Sequence, residues 1–100
     1  MKYDKLVRDK IPDIIKEKGG ESKTHIAEEA EFFEKLNVKL REEVEEFLKD
    51  DNPEEMADIL EVLEALAESK NINWQDIVAI KKSKAEKRGR FKKRIILEES

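Results

Sequence analysis

Four carboxylates stand on the apolar sides of two neighbouring helical segments, "EEVEE" and "EEMAD". On a helical wheel, Glu43 lies inside an apolar stripe, and Glu46, three residues later, lies at the edge of that stripe. Glu55 and Asp58 repeat this arrangement in the second segment. Four hard oxygen donors suit Mg²⁺ or Mn²⁺, whereas no histidine or cysteine stands at a spacing that favours zinc. The spacing therefore predicts a divalent metal site at these four residues.

Such a site depends on two helices joined by a tight turn. The apolar stripe predicts a long helix over about 27–48, and Asn52 followed by Pro53 predicts the start of a second helix, which ends at about residue 68. So short a connection makes the two helices antiparallel, which brings the end of the first beside the start of the second. The four carboxylates then converge, and their mutual repulsion raises their pKa values unless a cation neutralises them.

Ordinary structural roles compete with metal binding for these carboxylates. Glu55 stands three residues after Asn52, where the glutamate of a capping box hydrogen-bonds back to the helix start. Glu46 and its neighbours in "EEVEE" would also fit a solvated helix face, which is the usual role of a run of charges. The capping role leaves Asp58 unexplained, so the joint pattern across both helices favours the metal site.

Two further helices flank this hairpin. Asp9 is expected to cap a short helix that has Pro12 in its first turn, and Asn73 is expected to cap a last helix over 74–88. A glycine follows each of these helices and ends it. On the last helix, the basic residues Lys81, Lys84 and Arg88 share a side with apolar residues, which predicts that these cations point toward packed structure.

The remaining segments complete a small all-α protein. Residues 21–26 and 93–97 are expected to be short extended segments, the second of which includes a short strand at "RIIL". We therefore expect residues 1–100 to form a single helical domain. Its architecture is predicted to be an antiparallel, hairpin-based bundle of about four helices.

The composition limits the core that one chain can build. Only 38% of the 100 residues are apolar and 46% are charged, so a second copy would enlarge the buried surface. Both helices of the hairpin carry apolar stripes, which predict a homodimer or homotetramer with the long helices packed in a four-helix core. The stripe residues are Phe33, Leu36, Leu40, Val44 and Phe47 on the first helix and Met56, Ile59, Leu63 and Leu66 on the second.

Several classes of protein do not fit this sequence. There is no cysteine, which excludes disulfides and thiolate chemistry. No apolar run approaches the roughly 18 residues of a membrane-spanning helix, and no basic and then apolar leader opens the chain. We therefore expect a cytoplasmic protein without a membrane partner. Residues 28–68 hold four basic and sixteen acidic groups, a net charge of -12, which argues against nucleic acid as a partner.

Basic residues lie on both sides of this acidic middle. Residues 69–100 hold ten basic and four acidic groups, a net charge of +6. This excess could simply neutralise the acidic middle, but an acidic middle beside a basic tail also suits a partner that carries both signs, such as a metal-bound phosphate. We expect Lys84 and Arg88 to face the phosphate of such a partner. The residues expected to help bind it are Arg8, Lys10 and Lys81.

Three segments of the chain resemble one enzyme superfamily. The pair "EEVEE" and "EEMAD" resembles the "EExxE…ExxD" signature of the all-α nucleoside triphosphate pyrophosphohydrolases, which include MazG-type enzymes, phosphoribosyl-ATP pyrophosphohydrolases and all-α dUTPases. The segments "KLVRDKIPDII" at 5–15 and "KAEKRGRFKKRIIL" at 84–97 are similar to the two ends of a small MazG-like, phosphoribosyl-ATP pyrophosphohydrolase-like group. Arg90 departs from that group's "RGGF" by standing where it has a glycine.

The resemblance implies a reaction and a set of roles. A nucleoside triphosphate would be cleaved between its α- and β-phosphates, giving a monophosphate and pyrophosphate. Glu42 matches the first glutamate of the signature and would orient or deprotonate the attacking water. Lys84 and Arg88 lie in the segment similar to the end of the MazG-like group and would stabilise the charge that develops during hydrolysis. The residues that match the family's Mg²⁺ ligands are Glu43, Glu46, Glu55 and Asp58. The alternative is a non-catalytic helical interaction module whose acidic face binds a basic partner. A di-iron bundle does not fit, because the Glu-x-x-His pairs of such bundles are missing.

Overall fold

Four helices and their connections make up the fold. The computed structural model describes residues 4–100. In chain order the helices are α1 Ile11–Glu17, α2 Glu29–Asp50, α3 Pro53–Ser69 and α4 Trp74–Arg88. No strand forms within the described residues, so the all-α prediction is confirmed. The long helix begins and ends two residues later than its sequence pattern predicts.

The hairpin of α2 and α3 is the centre of the molecule, because these two helices make most of the contacts between elements. The chain turns at Asp51, whose backbone is left-handed with φ 55°. Asn52 then caps α3, since its side-chain oxygen accepts a hydrogen bond of 3.0 Å from the backbone N–H of Glu55. Pro53 occupies the first helical position, where its missing N–H is not needed. The predicted antiparallel hairpin and its cap are confirmed.

The core lies in the seam between α2 and α3. Leu36, which is 2% exposed, forms its centre together with Val62 and Leu66. Apolar side chains from three parts of the chain pack around this centre, one of them from the segment that precedes α1. They are Leu6, Phe32, Leu40 and Ala65.

The faces of α2 and α3 that pack together differ from those that the apolar stripes predict. Met56, which was expected in the core, is 54% exposed, and Val44 is also exposed. Val62, Leu66 and Glu55 share one face of α3 at spacings of four and seven residues, and this face forms the seam. Met56 lies about a quarter of a turn away from it on the helical wheel. The predicted burial of Met56 is therefore wrong.

The ends of α1 and α4 differ in how they are capped. The predicted cap at Asp9 is wrong: the cap position belongs to Lys10, and no side chain caps α1. The chain turns one residue later than predicted, with the N–H of Ile11 donating to the carbonyl of Arg8 at 3.0 Å. At α4, the Asn73 side chain accepts a hydrogen bond of 2.8 Å from a backbone N–H, as predicted.

The C-terminal part of the chain packs lightly. Among the described helices, α4 comes close only to α3. Residues 21–26 and 93–97 form no helix, but the predicted strand at "RIIL" is wrong, because residues 94–97 form no strand pairing with any described residue and remain exposed. A strand needs a neighbour to receive its backbone hydrogen bonds, and residues 4–100 provide none there. Of the helices in 4–100, none has both the length and the apolarity needed to cross a lipid bilayer.

Candidate metal centre

Three carboxylates converge where α2 ends and α3 begins. One carboxylate oxygen from each of Glu43, Glu55 and Asp58 lies within 4.8 Å of the others, and we call these three residues the acidic cluster. The antiparallel hairpin positions them, because the short turn after α2 brings its last turns beside the first turns of α3. The three-residue step from Glu55 to Asp58 keeps both on the same side of α3.

Glu43 is buried in the seam although it is charged. It is only 7% exposed and lies on the face of α2 that carries Leu36. Its Oε2 atom is buried without a hydrogen-bond partner among the described residues, and so is Oε2 of Glu55. A buried carboxylate oxygen without a partner is destabilising, whereas a cation within reach would satisfy it. The seam therefore presents two unpartnered oxygens at the place where the acidic cluster converges.

The surroundings of the acidic cluster favour protonation. Burial raises the pKa of Glu43 above its ordinary value, and the negative charges of Glu46 and Asp58 raise it further. Lys39 opposes this shift, with its Nζ 3.7 Å from Glu43 Oε1. The pKa of Glu55 is also raised, first by burial and then by the charge of Glu46. A divalent cation would lower the pKa values of these carboxyl groups, because it stabilises their ionised form.

Glu46 and Glu42 lie beside the acidic cluster and not in it. Glu46 is exposed at the border and is close enough to raise the pKa values of Glu43 and Glu55. It does not join the three residues that converge within 4.8 Å. Glu42 is half-buried, and its carboxylate lies 3.5 Å from Lys5 Nζ. Three of the four predicted metal ligands are thus brought together, and the fourth is their neighbour.

The nearest cations come from the N-terminal segment and from α2. A guanidinium nitrogen of Arg8 lies 2.8 Å from Asp58 Oδ1, which places this predicted substrate-binding residue against the acidic cluster. Lys5 and Lys39 are also paired with acidic residues here, and sequence reasoning missed both. The signal for Lys39 was available, because it stands four residues before Glu43 on the same helix face.

The basic residues of α4 lie elsewhere. Lys81, Lys84 and Arg88 are exposed, so the prediction that they point toward packed structure is wrong. Within residues 4–100, no ion pair joins them or Lys10 to the acidic cluster. The physical reason is that α4 follows the far end of α3 and comes close to α3 alone.

The donor set fits a hard divalent ion. Three carboxylates, with a fourth at the border, offer only oxygen, which matches Mg²⁺ and Mn²⁺. Such an ion could be held by these three carboxylates together with water molecules.

Comparison of the chain with family models, with curated proteins and with solved structures found no match.

Proposed function

We propose that the acidic cluster binds Mg²⁺, with Mn²⁺ as a substitute, and that the protein is a nucleoside triphosphate pyrophosphohydrolase. The observation that carries the proposal is the buried Glu43, which has one carboxylate oxygen without a hydrogen-bond partner among the described residues and whose carboxylate converges with those of Glu55 and Asp58. A purely structural seam would place an apolar residue at this position, because an unpartnered buried carboxylate is costly. The substrate class comes from the sequence resemblance, which joins this acidic pattern to α–β phosphate cleavage.

The acidic residues near the turn of the hairpin have distinct roles in the proposed reaction. Glu43, Glu55 and Asp58 would hold the ion, and Glu46 would add charge or a water-mediated contact from the border. A bound Mg²⁺ supplies Lewis acidity and a water of lowered pKa. Glu42 would orient or deprotonate the water that hydrolyses the anhydride bond between the α- and β-phosphates. The products are a nucleoside monophosphate and pyrophosphate.

The cations that would face the phosphates divide into two groups. Arg8 lies against the acidic cluster and is the nearest candidate for a phosphate oxygen. Lys84 and Arg88 remain predicted catalytic residues, but they would have to come from a second copy or move with α4, because α4 lies outside the cluster of its own chain. Homo-oligomerisation, as a dimer or tetramer, is accordingly part of the proposal.

A non-catalytic interaction module is the second candidate, and one observation favours it. Among residues 4–100, three side-chain cations pair with acidic residues at this place, at 2.8, 3.5 and 3.7 Å, so the same surface can accept guanidinium and ammonium groups. A basic segment of another protein could bind it in the same way. In that case the cluster would need no metal and would release no product.

A panel of nucleoside triphosphates with Mg²⁺ or Mn²⁺ separates the two candidates. We expect released pyrophosphate with at least one nucleotide, no activity with a chelator, and loss of activity in Glu43→Gln. Glu45→Gln is the matched control, because Glu45 is exposed and outside the acidic cluster. Release of single phosphate instead of pyrophosphate would contradict the cleavage position, and inactivity across the panel would favour the interaction module.

A further inference from the structure

Residues 4–10, the described segment before α1, lie across the hairpin beside the acidic cluster. Leu6 packs against the core between α2 and α3, which anchors this segment. On either side of Leu6, Lys5 pairs with Glu42 at 3.5 Å and Arg8 pairs with Asp58 at 2.8 Å. The segment therefore supplies two cations to the edge of the cluster from a backbone that an apolar contact holds in place.

Of the described cations, Arg8 forms the shortest ion pair at the cluster. Its partner Asp58 belongs to the three carboxylates that converge within 4.8 Å. A divalent ion held by the same carboxylates would stand a few ångströms from the guanidinium, and two cations at that separation repel each other. The Arg8 side chain is more than half exposed, so it can turn away while Leu6 stays packed.

We propose that Arg8 is a built-in counter-cation of the acidic cluster, which competes with a divalent ion for Asp58 and is displaced when the ion binds. This inference rests on the proposed metal site. After displacement, the guanidinium of Arg8 would still lie near the bound ion, because Leu6 anchors the segment that carries it. A phosphate bound to that ion could then accept paired hydrogen bonds from Arg8. Metal binding thereby changes the position of the Arg8 side chain, while the packed Leu6 keeps the backbone on either side of it in place.

Calorimetric titration of Mg²⁺ into the full chain tests the competition. Arg8→Gln should tighten Mg²⁺ binding about two- to fivefold, because the ion no longer displaces an exposed ion pair. Lys16→Gln is the matched control, since it removes the same charge from the adjacent helix α1 and breaks no ion pair of the described residues. Equal tightening in both variants would indicate long-range charge alone, and unchanged or weaker binding in Arg8→Gln would overturn the inference.

The side chain itself can be followed in the wild-type protein, without any substitution. During a Mg²⁺ titration, the guanidinium NMR signals of Arg8 should change with the same midpoint as the backbone amide of Asp58. Signals of Arg90, which is exposed and in no ion pair of the described chain, should stay constant. If Asp58 responds and Arg8 does not, only this inference fails. If the cluster does not respond to Mg²⁺ at all, the proposed metal site fails as well.

Discussion

Glu43 combines two properties that are rarely compatible, ionisability and burial. Leucine at this position would extend the core from Leu36 along α2 toward the turn. The carboxylate instead faces Glu55 and Asp58, which adds repulsion to the loss of hydration. Stability alone therefore does not account for Glu43, whereas a bound cation would turn both unfavourable effects into ligand interactions.

The first prediction concerns the metal ligands themselves. Glu43→Gln and Asp58→Asn should each abolish detectable Mg²⁺ binding in calorimetry and leave the helical circular dichroism unchanged. Without metal, Glu43→Gln should be as stable as the wild type or more stable by up to about 1 kcal/mol, because it removes a buried and repelled charge. Glu45→Gln is the control and should bind Mg²⁺ normally. Wild-type affinity in both ligand variants would place the metal elsewhere.

The second prediction is a pH dependence. Because the folded-state pKa of Glu43 is raised above its ordinary 4.5, the folded protein holds a proton that the unfolded chain releases. The favourable contribution of this proton is present at low pH and is lost as pH rises from 4.5 through the folded-state pKa. In metal-free buffer, urea unfolding should show the stability of the wild type falling relative to Glu43→Gln as pH rises across this window.

Saturating Mg²⁺ should reverse the sign of this dependence. The ion favours the ionised carboxylates, so the folded-state pKa of Glu43 falls and the relative stability of the wild type rises with pH. The same urea unfolding series with and without Mg²⁺ measures both slopes. Identical slopes in the two series would mean that the ion does not reach Glu43.

At the scale of elements, the connection between α2 and α3 determines whether the carboxylates meet. The hydrogen bond from the N–H of Glu55 to Asn52 fixes the first turn of α3, and Glu55 belongs to that turn. The same bond therefore stabilises the helix and positions a predicted metal ligand. A looser turn would separate Glu55 from Glu43, which lies on the other helix.

The third prediction follows from this double role. Asn52→Ala should reduce the free energy of unfolding by about 1 kcal/mol, as the loss of a helix cap usually does, and should also weaken Mg²⁺ binding. Asn73→Ala removes the equivalent cap from α4, which does not contribute to the acidic cluster. It should loosen α4 and leave Mg²⁺ affinity unchanged. Urea unfolding and calorimetry on both variants provide the comparison, and equal effects on affinity would contradict a local role for Asn52.

At the scale of the whole molecule, the hairpin retains a large exposed apolar surface. On each helix, the exposed apolar residues lie about a quarter of a turn around the helix axis from the seam. The direction of this rotation is the same on both helices. Because the helices are antiparallel, this offset places the exposed apolar residues of both helices on the same side of the hairpin. Glu46 and Asp58 are rotated from the seam in the other direction and lie on the opposite side. The exposed residues are Phe33, Val44 and Leu48 on α2 and Met56 and Leu60 on α3.

The fourth prediction is that this surface packs against a second copy. Sedimentation should give the mass of a dimer or a tetramer, because a surface of this apolar content is more stable when covered. Leu48→Glu should convert the protein to a monomer without unfolding it, since Leu48 is 75% exposed in the single chain. Ile26→Glu, at a residue that is 94% exposed and outside this surface, should leave the assembly intact. A wild-type monomer at micromolar concentration would contradict the prediction.

The sequence by itself determined the features that depend on local spacing. Caps at Asn52 and Asn73, the long apolar periodicity of α2 and the short turn predict the hairpin, because hydrogen bonds and helical periodicity act over a few residues. Carboxylates three residues apart on both sides of a tight turn are then expected to lie near one another. The pattern therefore predicts that Glu43 lies near Glu55 and Asp58, but it predicts the same of Glu46, which does not join the acidic cluster.

Only the tertiary structure decided which faces of α2 and α3 meet and which cations lie near the acidic cluster. The apolar side of α3 is wide and includes both Met56 and Val62, so the sequence does not determine which of them faces α2. The packing of the two helices buries Val62 and leaves Met56 exposed. The pair between Arg8 and Asp58 joins residues 50 positions apart, so no local pattern predicts it. The basic residues of α4 are opposite in charge to the proposed phosphate ligand, but electrostatic attraction is screened over distances of about 10 Å. They lie away from the acidic cluster because, among the described helices, α4 packs only against α3.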